Sequence, residues 1–162
     1  MPHITIEYMI MIPMLLMQIF LFPMTANWIM NTWVDSRRTL ALQGVADHLA
    51  STMQQLYSSL DHASIPAGKD SYAPGLPPMI EDCNYFASGT LRPVSGGPGF
   101  TKVIDLVVTL SGTKNSVTTA VILGPNLVWQ PSLFLSNSTR ACVTAEKTMN
   151  GTQSTITLRF DS

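Results

Sequence analysis

Residues 3–34 read HITIEYMIMIPMLLMQIFLFPMTANWIMNTWV, and Glu7 is the one carboxylate in the run, which holds no Lys or Arg. A helix needs roughly 20 residues to cross a hydrocarbon core of ~30 Å, so this stretch is long enough to span a membrane. A signal-peptide core is only about 7–15 residues long, with basic residues before it and a small-residue cleavage site after it. This run is longer, no Lys or Arg precedes it, and no small-residue site closes it. It reads as a retained segment. A lone carboxylate in so apolar a stretch costs several kcal/mol unless something neutralises it, so Glu7 is expected to meet a positive group. Pro13 and Pro23 each remove one helical hydrogen bond, a loss that membrane helices tolerate, and one gently bent helix is expected.

Beyond Val34 the pattern changes without a break. Leu42, Val45, Leu49, Met53, Leu56 and Leu60 recur at spacings of three and four, an amphipathic stripe, with Asp35, Arg37, Arg38, Gln43, Asp47, Gln54 and Gln55 at other positions. The helix is expected to end at Ser64-Ile65-Pro66-Ala67-Gly68. Nearly sixty residues at 1.5 Å each make a rod on the order of 85 Å. Arg37 and Arg38 follow the span, and the positive-inside rule alone places them in the cytoplasm, whereas a basic flank ahead of the span would reverse that orientation.

Residues 63–99 carry most of the punctuation, Ala73-Pro74-Gly75-Leu76-Pro77-Pro78 and Ser95-Gly96-Gly97-Pro98-Gly99, and read as a connection around a short strand near Thr90–Val94. From Phe100 the period is two. Ile104, Leu106, Val108 and Leu110 alternate with Asp105, Val107 and Thr109, and Val117 to Leu123 is rich in β-branched residues. Leu127–Trp129, Leu133–Leu135, Ala141–Thr148 and Ser154–Phe160 supply further strands, with Asn150-Gly151 as a hairpin signal. The expected fold class is α+β: a long N-terminal helix, then a small antiparallel sandwich or barrel of six or seven strands. The expected domains are 1–62 (helix), 63–99 (connection) and 100–162 (β head).

Charged residues make up 12% of the chain against ~25% in soluble globular proteins, and 46% are hydrophobic. A net charge of −1 gives no electrostatic case for nucleic acid. Seven of the ten methionines fall at or before position 30, where a flexible side chain suits packing against several neighbours. Asp47-His48 and Asp61-His62 are about 21 Å apart on a helix, too far to share one metal ion. Ser95-Gly96-Gly97-Pro98-Gly99 lacks the Lys of a phosphate loop. No nucleophile or metalloprotease motif occurs, so no catalytic residue, cofactor or metal is assigned and an enzyme is not expected.

His3-Ile4-Thr5-Ile6-Glu7-Tyr8-Met9-Ile10-Met11 resembles the start of mature type IV pilins, in which a glutamate is the fifth residue of a long apolar helix. It is closer to the archaeal branch, with His3 in place of the usual Gln, Thr5 in place of Ser, Met11 in place of Leu, and Glu7 matching outright. Met1 and Pro2 stand where that family carries a basic leader. The resemblance covers the helix to about Leu60; the head matches only in general plan. It implies a precursor cut by a prepilin peptidase between Pro2 and His3, then assembled by a cytoplasmic ATPase and a membrane platform. The product is a helical homopolymer at the cell surface, with an adhesive role. The new amine at His3 and the carboxylate of a neighbour's Glu7 neutralise each other in an apolar core. The alternative is a monomeric, single-pass, membrane-anchored extracellular β domain that binds a ligand. An extracellular head also implies a Cys83–Cys142 disulfide, worth roughly 4 kcal/mol in the chain-entropy model. Asn137-Ser138-Thr139 and Asn150-Gly151-Thr152 are N-glycosylation sequons, the second on an expected hairpin tip.

Overall fold

The structure, a computed structural model, describes residues 3–62, 64–92, 100–151 and 153–162, with side chains from residue 9 onward. The protein is α+β: one long helix, α1 (His3–Leu60), precedes two small sheets. The chain divides into two compact units, Met1–Arg37 and Arg38–Ser162.

In the first unit α1 continues through both Pro13 and Pro23. A proline has no N–H to give, so the carbonyls of Met9 and Ile19, four residues back, lose their helical donors. Nearby hydroxyls bond other carbonyls. Thr25 Oγ1 donates to the carbonyls of Leu21 (3.0 Å) and Phe22 (2.9 Å), Thr32 Oγ1 to that of Trp28 (2.9 Å), and Ser36 Oγ to that of Thr32 (2.8 Å). Such back-bonding hides hydroxyls that an apolar setting would otherwise leave unmet.

The second unit holds the end of α1 and eight strands. One sheet has the order β1-β7-β8-β5, built from β1 (Gly68–Tyr72), β7 (Cys142–Asn150), β8 (Gln153–Asp161) and β5 (Leu127–Trp129). The other has the order β4-β3-β2-β6, from β4 (Ser116–Leu123), β3 (Lys102–Leu110), β2 (Tyr85–Arg92) and β6 (Leu133–Leu135). Alternation along β3 buries Ile104, Leu106, Val108 and Leu110 together with Val143, Ala145, Ile156, Leu158 and Phe160 of the opposite sheet. Each fully buried aliphatic side chain contributes roughly 1.5–3 kcal/mol. Trp129 stacks edge-on to Phe160 at 5.2 Å, and its Nε1 donates to the carbonyl of Gly89 at 2.8 Å. Gly89 is required there: a Cβ would lie 2.6 Å from the Trp129 ring.

The second half of α1 closes one open side of this sandwich. Leu42, Val45, Leu49, Met53, Leu56 and Leu60, the stripe expected from sequence, are all buried in the shared core. Along β4, Asn115 Nδ2 donates to Thr39 Oγ1 (3.4 Å), Thr119 Oγ1 donates to Asp47 Oδ1 (3.1 Å), and Tyr57 rests on Gly124. On the other flank His48 Nε2 lies 2.9 Å from the carbonyl of Pro74, just past β1. The Lys147 ammonium on β7 is buried and donates to the carbonyls of His62 (2.8 Å) and Ile65 (3.0 Å), where the helix chain runs out. Those carbonyls satisfy a charge that burial would otherwise make costly. The β4 flank is thereby bonded to the helix, whereas β1 stays exposed along its whole length.

Several expectations need correction. The stretch 63–99 carries β1 and β2, and the described residues hold eight strands rather than six or seven. The strand expected near Thr90–Val94 begins at Tyr85; its last residues, and the Ser95–Gly99 turn, lie outside the described residues. The sheets are not wholly antiparallel, because β5 pairs with β8 in parallel. In the last hairpin Asn150 pairs with Gln153, so the tight turn begins at Gly151 (φ 65°) rather than at Asn150.

Candidate functional site

What sets this chain apart from an ordinary β domain is the surface of the first unit. From Met9 to Trp33 every large apolar side chain of α1 is at least half exposed, from 50% at Leu16 to 78% at Met9. The apolar residues occupy all sides of the helix rather than one stripe. A helix that is apolar all round belongs inside something, either a membrane or a bundle of other helices. The segment is long and apolar enough to cross a bilayer, and none of its most apolar 18-residue window is buried within the protein.

Its C-terminal limit has a distinct chemistry. The Arg37 guanidinium lies 4.9 Å over the ring of Trp33, a cation–π pair at the spacing of one helical turn. Trp28 is exposed one turn earlier. Tryptophans and a snorkelling arginine are the residues found where hydrocarbon meets water. The next residue, Arg38, serves the head instead: its Nε donates to Glu81 Oε2 at 2.9 Å. Glu81 and Asp82 both hold positive φ (47° and 62°), and Ile80 and Cys83 exchange backbone bonds of 2.9 and 3.0 Å around them. Two consecutive non-glycine residues in the left-handed region are strained, and Ile80, buried in the core, anchors the turn.

Beside Pro23 the helix surface is concave. An open groove of about 750 Å³ is lined by Leu15, Gln18, Ile19, Leu21, Phe22, Pro23 and Thr25. Gln18 is the only side chain between Met9 and Met24 with a strong hydrogen-bonding group. Neither it nor the Trp33–Arg37 pair was singled out from sequence, although the i, i+4 spacing of the latter was legible.

The residues expected to carry assembly stand as follows. His3 and Glu7 belong to the backbone of α1, while their side chains, and Pro2 altogether, lie outside the described residues. Cys83 and Cys142, the pair expected to bridge, are both partly buried and stand as free thiols in the structure. Cys83 closes the tight turn with Ile80, whereas Cys142 opens β7 beside Thr144. Asn137, in the turn after β6, and Asn150, at the end of β7, are both exposed. Among the described residues no group of three or more His, Cys, Asp or Glu is placed to hold a metal ion.

Titratable groups of the head are tuned by burial. Tyr85 is pushed up to about 12 by burial, and its hydroxyl donates to the carbonyl of Pro77 at 2.7 Å. Burial also raises Tyr57, with the nearby Asp61 carboxylate second. The Tyr57 hydroxyl, packed on Gly124, makes no hydrogen bond of ordinary geometry. Comparison with protein-family models, with curated proteins and with solved structures finds no match.

Proposed function

We propose that this chain is a structural subunit that polymerises through α1 into an extracellular filament of the archaeal type IV pilus kind, with the β unit as its outer wall and adhesion as its role. The observation that carries the reading is the contrast within α1: residues 42–60 bury their apolar stripe in the head, while residues 9–33 present apolar side chains on every side. A bilayer holds such a segment before assembly, and helices of further copies enclose it afterwards. The pilin-like start at His3 and Glu7 supplies the pairing that fixes one copy on the next. A prepilin peptidase, an assembly ATPase and a membrane platform are the partners this resemblance implies.

The test is Glu7→Ala combined with mass spectrometry of the mature N-terminus. The expected result is a chain beginning at His3, a variant that still inserts in the membrane, and a loss of filament yield. A normal yield from the variant, or a mature chain that still begins at Met1, sinks the pairing. The second reading, a monomeric membrane-anchored β domain, is favoured by the Trp33–Arg37 pair, which suits a permanent bilayer boundary. It predicts a detergent-solubilised monomer with no filament form.

Sugars on Asn137 and Asn150 belong to the same proposal, since both side chains are exposed and a glycan there solubilises a head poor in charge. Peptide mapping of native material is expected to show a mass increment on peptides holding these residues. Unmodified peptides at both sites remove the glycan and leave the filament standing.

A further inference from the structure

We infer that Gln18 is the hydrogen-bonding contact between neighbouring α1 helices, donating to the Ile19 carbonyl that Pro23 leaves without a helical donor on a second copy of this chain. The inference rests on the filament reading and names the contact that reading requires in the apolar core.

Three observations meet at this point. Gln18 is exposed, and among the described residues its amide has no hydrogen-bond partner. It follows nine apolar or thioether residues, 9–17, and precedes six more, 19–24. The amide therefore lies about 14 Å along the axis from Met9 and about 22 Å from Trp33, too deep in an apolar layer to reach water at either end. The second observation is the matching acceptor. Pro23 cannot donate to the carbonyl of Ile19, and the hydroxyl of Thr25 is committed to Leu21 and Phe22 instead. The third is shape. Gln18, Ile19, Phe22, Pro23 and Thr25 line one open groove of about 750 Å³, roomy enough for side chains of an adjacent helix.

The occupant follows from the chemistry. Lipid tails offer no acceptor, so a bilayer leaves both the amide and the carbonyl unmet, at several kcal/mol per group in the worst case. A second copy brings both halves of the bond on one surface. Gln18 and Ile19 are adjacent, so a parallel neighbour within about one helical turn of register brings its Ile19 carbonyl to this amide. Its own Gln18 then meets the next copy in turn, and the contact repeats without closing. A glutamine in a membrane span is otherwise a liability; here it selects a partner.

The experiment measures self-association of the full-length chain in detergent micelles by energy transfer between separately labelled populations. Gln18→Leu keeps the volume, removes the amide and raises apolarity, so membrane insertion is not impaired. It is expected to weaken association about 3- to 20-fold, the range of measured interhelical hydrogen bonds in membranes. Pro23→Ala restores an N–H to the helix and is expected to weaken it similarly. The double variant should be no weaker than the worse single one, because both remove the same bond. Gln18→Asn, which keeps an amide, should fall between wild type and Gln18→Leu. Wild-type association with a Gln18→Leu variant that binds equally well or tighter overturns this contact and leaves the filament reading intact. A wild type that does not self-associate overturns both.

Discussion

The two halves of α1 differ in how much of their surface is apolar and in what covers it. Residues 42–60 place their leucines and Met53 on one stripe and bury it, whereas residues 9–33 have no bare polar face and bury nothing in their own chain. The first arrangement is that of a folded domain, complete in itself. The second leaves its apolar side chains uncovered by its own chain. One helix thus divides in two: one end packs into the head, and the other is an exposed apolar segment long enough to cross a membrane.

The sharpest way to break this comparison is to make the same change in each half. Leu49→Ala, at a fully buried position, is expected to cost the head about 2–5 kcal/mol in a urea or thermal melt. Leu16→Ala, at a half-exposed position, should shift the same melt by less than about 0.5 kcal/mol. Equal losses would mean that the first half is also packed against its own chain.

Next in size is the seam between α1 and β4. A Cβ on Gly124 would collide with the Tyr57 hydroxyl, so Gly124→Ala is expected to cost about 1–3 kcal/mol. Tyr57→Phe removes the colliding oxygen, which also lacks a partner, and should restore most of the loss in the double variant. A double variant no better than Gly124→Ala would show that the helix does not lie against Gly124.

A pH titration probes the head alone. Tyr85 titrates near 10 when unfolded and is pushed up to about 12 when folded, so the unfolded chain gives up its proton first. Its contribution to stability is complete below pH 10 and declines as pH rises through about 12. Denaturation midpoints measured from pH 9 to 12 should fall less steeply in Tyr85→Phe than in wild type. Identical slopes would place Tyr85 in water.

The smallest effect is expected where the second unit begins. The Arg38–Glu81 pair is partly exposed, so Arg38→Ala should cost no more than about 1 kcal/mol. A larger loss in the same melt would make the ion pair a principal tie between helix and head.

Much of this was legible from periodicity. The helix ends where its stripe ends, at Leu60, and β3 to β8 fall close to their alternating runs because burial on one face writes itself into the sequence. The first strand did not, for a physical reason. Gly68-Lys69-Asp70-Ser71-Tyr72 is exposed at every position, so only its backbone pairing with β7 makes it a strand. In β2 the inward positions include Ala87 and Gly89, small because Trp129 occupies the space above Gly89, and small residues carry little periodic signal. The parallel β5–β8 pair depends on contacts far apart in sequence. On the apolar half of α1 the reading centred on Glu7 as the lone carboxylate. The groove at Gln18 emerges only when the position of Pro23 is set beside it in space.

The most direct test of the account is electron microscopy of filaments sheared from cells that produce this chain, carried to a reconstruction in which side chains are traced. The expected result is a thin filament whose centre is a bundle of residues 9–33, each copy enclosed by neighbouring copies, with the β units outside. Surface material that holds the chain only as single copies in membrane fragments, its apolar segment contacting lipid alone, would contradict it.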